Sequence, residues 1–155
     1  MAIVESAMSA VRLTEFVPQL THYSIEQQSH PLPWSEKNFC SCQGSQYRNR
    51  LLSIADEAIG FSICQQVFDE ITLMNIAVLP SFRGQGWGAY LLRDVIDYSK
   101  HKRLTLWLEV RASNHVAISL YRQYGFCEVG RRPNYYPCEN KAHEDALVMR
   151  WQHAE

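Results

Sequence analysis

Nowhere in the 155 residues does an apolar run approach the roughly 18 positions a membrane-spanning helix requires. The N-terminal stretch MAIVESAMSA carries Glu5 where a secretory signal would carry basic residues, so a cytoplasmic protein with no membrane partner is expected. A surplus of one charge is missing too, since 15 Lys plus Arg face 16 Asp plus Glu for a net charge of −1. Such a chain has no global field to draw it onto nucleic acid; no direct nucleic-acid binding is expected, and any polyanion site must be local. Gly/Ser linkers, low-complexity stretches and internal repeats are also lacking, which makes residues 1–155 a single domain, and the 46% hydrophobic content suffices for its own core.

Paired cysteine patterns are absent. Cys40, Cys42, Cys64, Cys127 and Cys138 are odd in number and form no CxxC, which suits neither a disulfide framework nor a tetrahedral zinc site. Cys64 reads as a small buried hydrophobe, and neither it nor Cys127 has a recognisable activating neighbour. His22, His30, His101, His115, His143 and His153 show no HExxH or HxxxH spacing, so no metal is expected.

What is present is a mixed pattern of strands and helices. A short strand at Val11 to Leu13 precedes a helix over Pro18 to Gln28, and Ser35 caps a second helix to about Cys42. Apolar runs at Leu51 to Ala55, Ala58 to Phe68 and Ile71 to Val78, split by Asp56-Glu57 and Asp69-Glu70, predict an antiparallel meander. Beyond Leu79-Pro80, the turn Gly84 to Gly88 leads into a helix with Leu91, Leu92, Val95 and Ile96 on one face. Leu104 to Val110 is a strand, and Ser113 is expected to cap a helix with Ala117, Leu120, Tyr121 and Tyr124 on one stripe, ending at Gly125. Cys127 to Gly130 and Ala146 to Trp151 complete an α/β (α+β) chain whose sheet holds a parallel pair near its centre.

The turn Arg83-Gly84-Gln85-Gly86-Trp87-Gly88 between a strand and a helix N-terminus offers free backbone N–H groups and the positive end of the helix dipole, a setting that suits a phosphate. An ordinary tight turn has the same composition. Gly84, Gly86 and Ala89 also satisfy GxGxxA, with Glu109 twenty residues on, as a dinucleotide fingerprint requires. Five residues separate strand from turn, however, and too few strands follow for a doubly wound sheet. A P-loop is excluded because no GK[ST] follows.

Alternation on the strand ending at Val110 sets Thr105, Trp107 and Glu109 opposite Leu104, Leu106 and Leu108. A carboxylate there suits a general base, or an ion pair with Arg111, or a side chain reaching solvent. Tyr121 is either a core aromatic or a phenol poised as a proton donor. Arg131-Arg132 and Tyr135-Tyr136 lie in a stretch read as a loop.

The segments MNIAVLPSFRGQGWGAYLL, LWLEVRASNHVAISLYRQYGF, RRPNYYP, EDALVM and PWSEKNF together resemble the GNAT acyltransferase superfamily, whose turn pattern [RQ]xxGx[GA] is met by Arg83, Gly86 and Gly88. Within it the likeness is to enzymes that acetylate the N-terminal alanine of a bacterial small-subunit ribosomal protein. The resemblance spans roughly Ile25 to Met149 and implies a GNAT fold: a mostly antiparallel mixed sheet with a central splayed parallel pair, flanked by helices. It implies acetyl-CoA as co-substrate, with Ile76, Ala77 and Val78 along the pantetheine and Arg83, Gly84, Gln85, Gly86, Trp87 and Gly88 at the pyrophosphate. Gly84 and Ala89 stand where relatives often carry basic side chains, which leaves Arg83 with less help at the phosphates. It further implies Asn114 near the thioester, Glu109 as proton acceptor, Tyr121 as proton donor, and Trp34, Glu70, Asn75 and Tyr135 on the peptide side.

Attack on a thioester needs a neutral amine. At pH 7 about 14% of an α-amine but about 0.04% of a lysine is neutral, a gap of about 3.5 kcal/mol. One Glu base is therefore better matched to an α-amine. A lysine or polyamine acetyltransferase and a non-catalytic CoA-binding module are the alternatives.

Overall fold

The computed structural model describes residues 10–140 and 142–152; Glu5 with the rest of residues 1–9, and His153, lie outside them. In chain order the elements are β1 (Val11–Glu15), α1 (Leu20–Ser29), α2 (Glu36–Cys40), β2 (Tyr47–Ile54), β3 (Glu57–Val67), β4 (Glu70–Val78), a 3-10 turn (Pro80–Phe82), α3 (Trp87–Lys102), β5 (Thr105–Arg111), α4 (His115–Gln123), β6 (Phe126–Pro137) and β7 (His143–Trp151). The strands form one sheet ordered β1-β2-β3-β4-β5-β7-β6. As expected, a parallel pair sits near the centre: β4 runs beside β5 from Glu70↔Thr105 to Leu73↔Leu108. The β1–β2, β2–β3, β5–β7 and β6–β7 ladders are antiparallel.

The chain divides into two compact units, Met1–Gln65 with Asn75–Leu92, and Gln66–Met74 with Arg93–Glu155. In the first, Phe39, Phe61, Ile63, Tyr23, Ile25, Cys42 and Ala77 form one buried cluster, and Leu52, Ile59 and Leu91 another. Gly60 matters here, because a Cβ at that position would lie 2.5 Å from the Ala77 carbonyl oxygen; only glycine lets β3 lie this close to the end of β4. In the second unit, β5 buries Leu106, Leu108 and Val110, and leaves Trp107 and Glu109 half-buried on the other face, as alternation requires.

Several boundaries differ from expectation. Helix α1 starts at Leu20 rather than Pro18, with Gln19 and His22 forming a reciprocal capping box. Asn114, not Ser113, caps α4, its Oδ1 accepting the Ala117 N–H at 3.2 Å. Ser113 is otherwise employed: its N–H and hydroxyl donate to Glu144 at 3.1 and 3.0 Å. On α4 the fully buried pair is Ile118 and Tyr121, while Leu120 and Tyr124 are only half-buried. The largest correction is β6, which continues through Arg131–Tyr136 instead of ending in a loop at Gly130. It is an edge strand with register shifts at Glu128/Gly130 and Arg132/Tyr136, and an edge tolerates Pro133.

Candidate active site

In the first unit the end of β4, the 3-10 turn and the glycine turn come in sequence. Gly84 and Gly86 adopt φ of +75° and +89°, and a Cβ at either would meet no protein atom within 4 Å. The turn is therefore shaped by backbone conformation and open on its outer side. Helix α3 opens with the Tyr90 N–H donating to the Gly86 carbonyl at 3.0 Å, so the N–H groups of Trp87, Gly88 and Ala89 have no partner earlier in the helix. Gln85 Oε1 accepts from the Trp87 indole N–H at 3.3 Å and holds that ring beside the turn. Arg83, expected at the phosphates, is differently engaged. Its Nη2 donates to the Ser29 carbonyl at the end of α1 and its Nε to the Val78 carbonyl at 3.3 Å, so the guanidinium ties helix to strand.

Close to the end of β4 lies a polar cluster that the sequence did not disclose. The Glu26 carboxylate is 1% exposed. Its Oε1 accepts from Asn75 Nδ2 at 2.9 Å and its Oε2 from the Trp34 N–H at 2.8 Å. His30 Nε2 sits 3.0 Å from Asn75 Oδ1 and 3.4 Å from Glu26 Oε1, a geometry that places its proton on Nε2. The Tyr23 hydroxyl donates to the Trp34 carbonyl at 2.6 Å. The Trp34 backbone is thus held at both its N–H and its carbonyl, and the Asn75 side chain is engaged through both ends. A buried carboxylate is tolerable only when its oxygens are satisfied, and here they are.

In the second unit, Glu109 is 23% exposed and its Oε1 lies 2.7 Å from Arg132 Nε. The ion pair weighed from sequence exists, but with Arg132 rather than Arg111, which is bound to Glu144 at 3.3 Å. Arg132 also lies over the Tyr135 ring at 5.4 Å, and Arg111 over the Tyr136 ring at 4.6 Å. Burial, then the Tyr136 phenol, pushes Tyr121 up to about 12. Burial pushes Tyr136 to about 12 as well, reinforced by the Glu109 carboxylate and Tyr135 and opposed by Arg111 and Arg132. Both phenols hold their protons at neutral pH and are therefore available as donors. Tyr136 therefore lies within electrostatic reach of both Glu109 and Tyr121, whereas Tyr135 is 48% exposed. For Glu144, burial alone would raise the carboxyl, yet hydrogen bonds from Ser113 and Arg111 leave it lowered.

Glu70 is not brought together with these groups. It is exposed at the start of β4 opposite Thr105, four residues before Glu109 on β5, about 13 Å along the strand. Asn114 is exposed, with its side-chain oxygen capping α4. Among the described residues no cluster of three or more His, Cys, Asp or Glu side chains could hold a metal. No helix among them is long and apolar enough to cross a membrane.

Residues 13–126 match the acetyltransferase (GNAT) family. The chain belongs to the GNAT acetyltransferase family. A relative from Salmonella typhimurium, named ribosomal protein bS18-alanine N-acetyltransferase, is 49% identical over 128 residues, covering 82% of this chain and 86% of its own. The crystal structure of the Escherichia coli ribosomal-protein-S18-alanine N-acetyltransferase superposes with a TM-score of 0.84 at 43% identity, covering 94% of this chain and 96% of that one. A GNAT acetyltransferase from Elizabethkingia anophelis with acetyl-CoA bound shares the fold, with a TM-score of 0.75 at 23% identity over 93% of this chain and 99% of that one. In a GNAT acetyltransferase the co-substrate is acetyl-CoA, and the open glycine turn at the start of α3 has the backbone character that a pyrophosphate requires.

Proposed function

We propose that this GNAT acetyltransferase moves the acetyl group of acetyl-CoA onto the N-terminal α-amine of an alanine, that of ribosomal protein bS18, in the bacterial cytoplasm. The observation that carries the acceptor is the 49% identity over 128 residues to an enzyme named for that reaction. Residues 1–155 act as one acetyltransferase domain.

The pyrophosphate sits on the backbone N–H groups of Gly84 to Gly88, and the pantetheine pairs with the backbone of Ile76, Ala77 and Val78. Arg83 contributes backbone there, while its guanidinium braces α1 against β4. The amine nitrogen attacks the thioester carbonyl carbon directly. Glu109 first takes a proton from the ammonium, itself or through one water, to free the lone pair on that nitrogen; after the attack the carbon–sulfur bond breaks with Tyr121 donating its phenolic proton to the departing thiolate, and the surplus proton on the new amide nitrogen passes to water. A phenol pushed up to about 12 stays protonated for that role. No acyl-enzyme intervenes. Asn114 is assigned to the thioester end, and Trp34 and Asn75 to the peptide side with Tyr135.

Mass spectrometry of small-subunit ribosomal proteins from cells with and without this protein tests the acceptor. The expected result is an N-acetylated alanine on bS18 only when the protein is present. Unchanged bS18 alongside new acetyl-lysine or acetylated polyamines would overturn the reading.

A further inference from the structure

We propose that a cationic groove formed by Lys100, Arg103 and Arg150 binds the phosphodiester backbone of RNA. The groove has a volume of about 410 Å³, and Thr105 and Trp151 also line it. It lies wholly in the second unit, at the C-terminal end of α3 and the end of β7.

The cations there differ from the six paired arginines of this chain. Arg12, Arg50, Arg111, Arg122, Arg131 and Arg132 each have a carboxylate within ion-pair distance. Among the described residues Lys100, Arg103 and Arg150 have none, and no carboxylate lines the groove. Asp69, whose carbonyl accepts the Thr105 N–H at 2.9 Å, Glu70, opposite Thr105 on β4, and Asp97, three residues before Lys100 on α3, are all exposed, and none of them lines the groove. Cations in the last turn of α3 complement its dipole, which accounts for Lys100 and Lys102. It does not account for Arg150, which arrives from β7, or for Arg103, held just past the helix at φ +56°. Lys100 lies 6.0 Å from the Trp151 ring and Arg150 5.5 Å from the Trp107 ring, so aromatic faces support two of the three cations from below. The Trp107 indole N–H is itself buried without an acceptor.

Three uncompensated cations around one open groove make a local positive potential on a chain whose net charge is −1. Their ligand is an anion, and a groove with cations from two elements suits successive phosphates of a strand better than one ion. The choice of RNA rests on the proposed acceptor, a protein of the ribosome, which sits among RNA phosphates.

The test is fluorescence anisotropy of a fluorescein-labelled 12-nucleotide oligouridylate titrated with the full chain at several KCl concentrations. Three phosphate contacts predict a slope of log K against log salt near −2, at about −0.7 per contact. Each of Lys100→Gln, Arg103→Gln and Arg150→Gln should shallow the slope by about 0.7, and the triple variant should bind at least tenfold more weakly at 50 mM KCl. Acetylation of a short peptide beginning with alanine should be unchanged in all of them, which shows that they fold and isolates the groove from the catalytic reading. If wild type binds the oligomer with this slope but acetylates no peptide, the groove stands and the proposed function falls. A triple variant with wild-type affinity and slope would overturn the proposal. So would displacement of the oligomer by inorganic phosphate as effectively as by unlabelled oligomer, which would mark a small-anion site. Wild type that cosediments with phosphatidylglycerol vesicles but does not bind the oligomer would likewise overturn it.

Discussion

Arg132 reaches across β7 to place its Nε 2.7 Å from the Glu109 carboxylate, although the two residues stand on strands that are not neighbours in the sheet. Arg111 and Arg132 both register opposite Ala146 on the intervening strand, and its small side chain leaves room for the crossing. The proposed base is therefore oriented by a side chain from the edge strand that also carries Tyr135 and Tyr136. An incoming α-ammonium would offer Glu109 the same kind of partner as Arg132 does.

Glu109→Gln keeps an acceptor for Arg132 but removes basicity. Its kcat/KM for an alanine-terminated peptide should fall about 10²-fold or more at pH 7, the range general acid–base groups supply. Stability should barely change, because Arg132 is 58% exposed and such pairs contribute under about 1 kcal/mol. Activity should recover in part at pH 9, where an α-amine with a pKa of about 7.8 is already neutral. Steady-state rates from pH 7 to 9 check this; full activity at pH 7 would make Glu109 structural.

Tyr121→Phe should still bind acetyl-CoA, lose turnover and show no rescue at high pH. The phenols also set an alkaline limit on stability. Below pH 10 Tyr121 and Tyr136 are neutral in both folded and unfolded chains, whereas between 10 and about 12 only the folded chain retains their protons. Stability thus falls with rising pH in that window, by up to about 1 kcal/mol per pH unit for Tyr121 and less for half-buried Tyr136. Denaturation midpoints of wild type, Tyr121→Phe and Tyr136→Phe between pH 9 and 12 should show a shallower fall in each variant.

Gly86→Val should weaken acetyl-CoA binding at least tenfold, about 1.4 kcal/mol, in calorimetry. Two causes are separable, since the φ of +89° strains a β-branched residue while the Cβ meets no protein atom. Gly86→Asn tolerates the backbone but keeps the Cβ, so it should also bind weakly if the pyrophosphate lies there. Arg83→Ala should instead lower Tm by about 2 to 4 °C, the equivalent of about 1 kcal/mol, with a smaller loss of affinity. Arg83→Lys, which keeps the charge but loses the fork between Ser29 and Val78, should not restore Tm fully.

Glu26→Ala removes the acceptor for Asn75 Nδ2 and for the Trp34 N–H inside a buried cluster. A loss of about 3 kcal/mol is expected in urea denaturation, together with a higher KM for peptide than for acetyl-CoA because the Trp34 segment is released. Equal stability to wild type would show that the cluster does not hold that segment.

The parts of this molecule that sequence periodicity could reach were those governed by local pattern. The stripe Leu91, Leu92, Val95 and Ile96 is buried on α3, and the alternation around Glu109 matches β5. Strand β6 was illegible because RRPNYYP neither alternates nor avoids proline, and an edge strand with two register shifts needs to do neither. Ser113 and Asn114 are equally capable caps side by side, and the choice falls to Glu144, distant in sequence, which captures Ser113. Glu26 lies on a helix without an apolar stripe, so only its tertiary contacts with Asn75 and Trp34 mark it as important. Arg132 could not be paired with Glu109 without knowing that β7 inserts between β5 and β6.

The central claim, transfer to an α-amine, is tested most directly by one measurement: tandem mass spectrometry of a peptide that begins with alanine and contains one internal lysine, after incubation with the protein and acetyl-CoA at pH 7. The account predicts a single acetyl group on the alanine nitrogen, none on the lysine, and no product when the same peptide is N-terminally blocked. Acetylation of the lysine, or of the blocked peptide at a comparable rate, would contradict it.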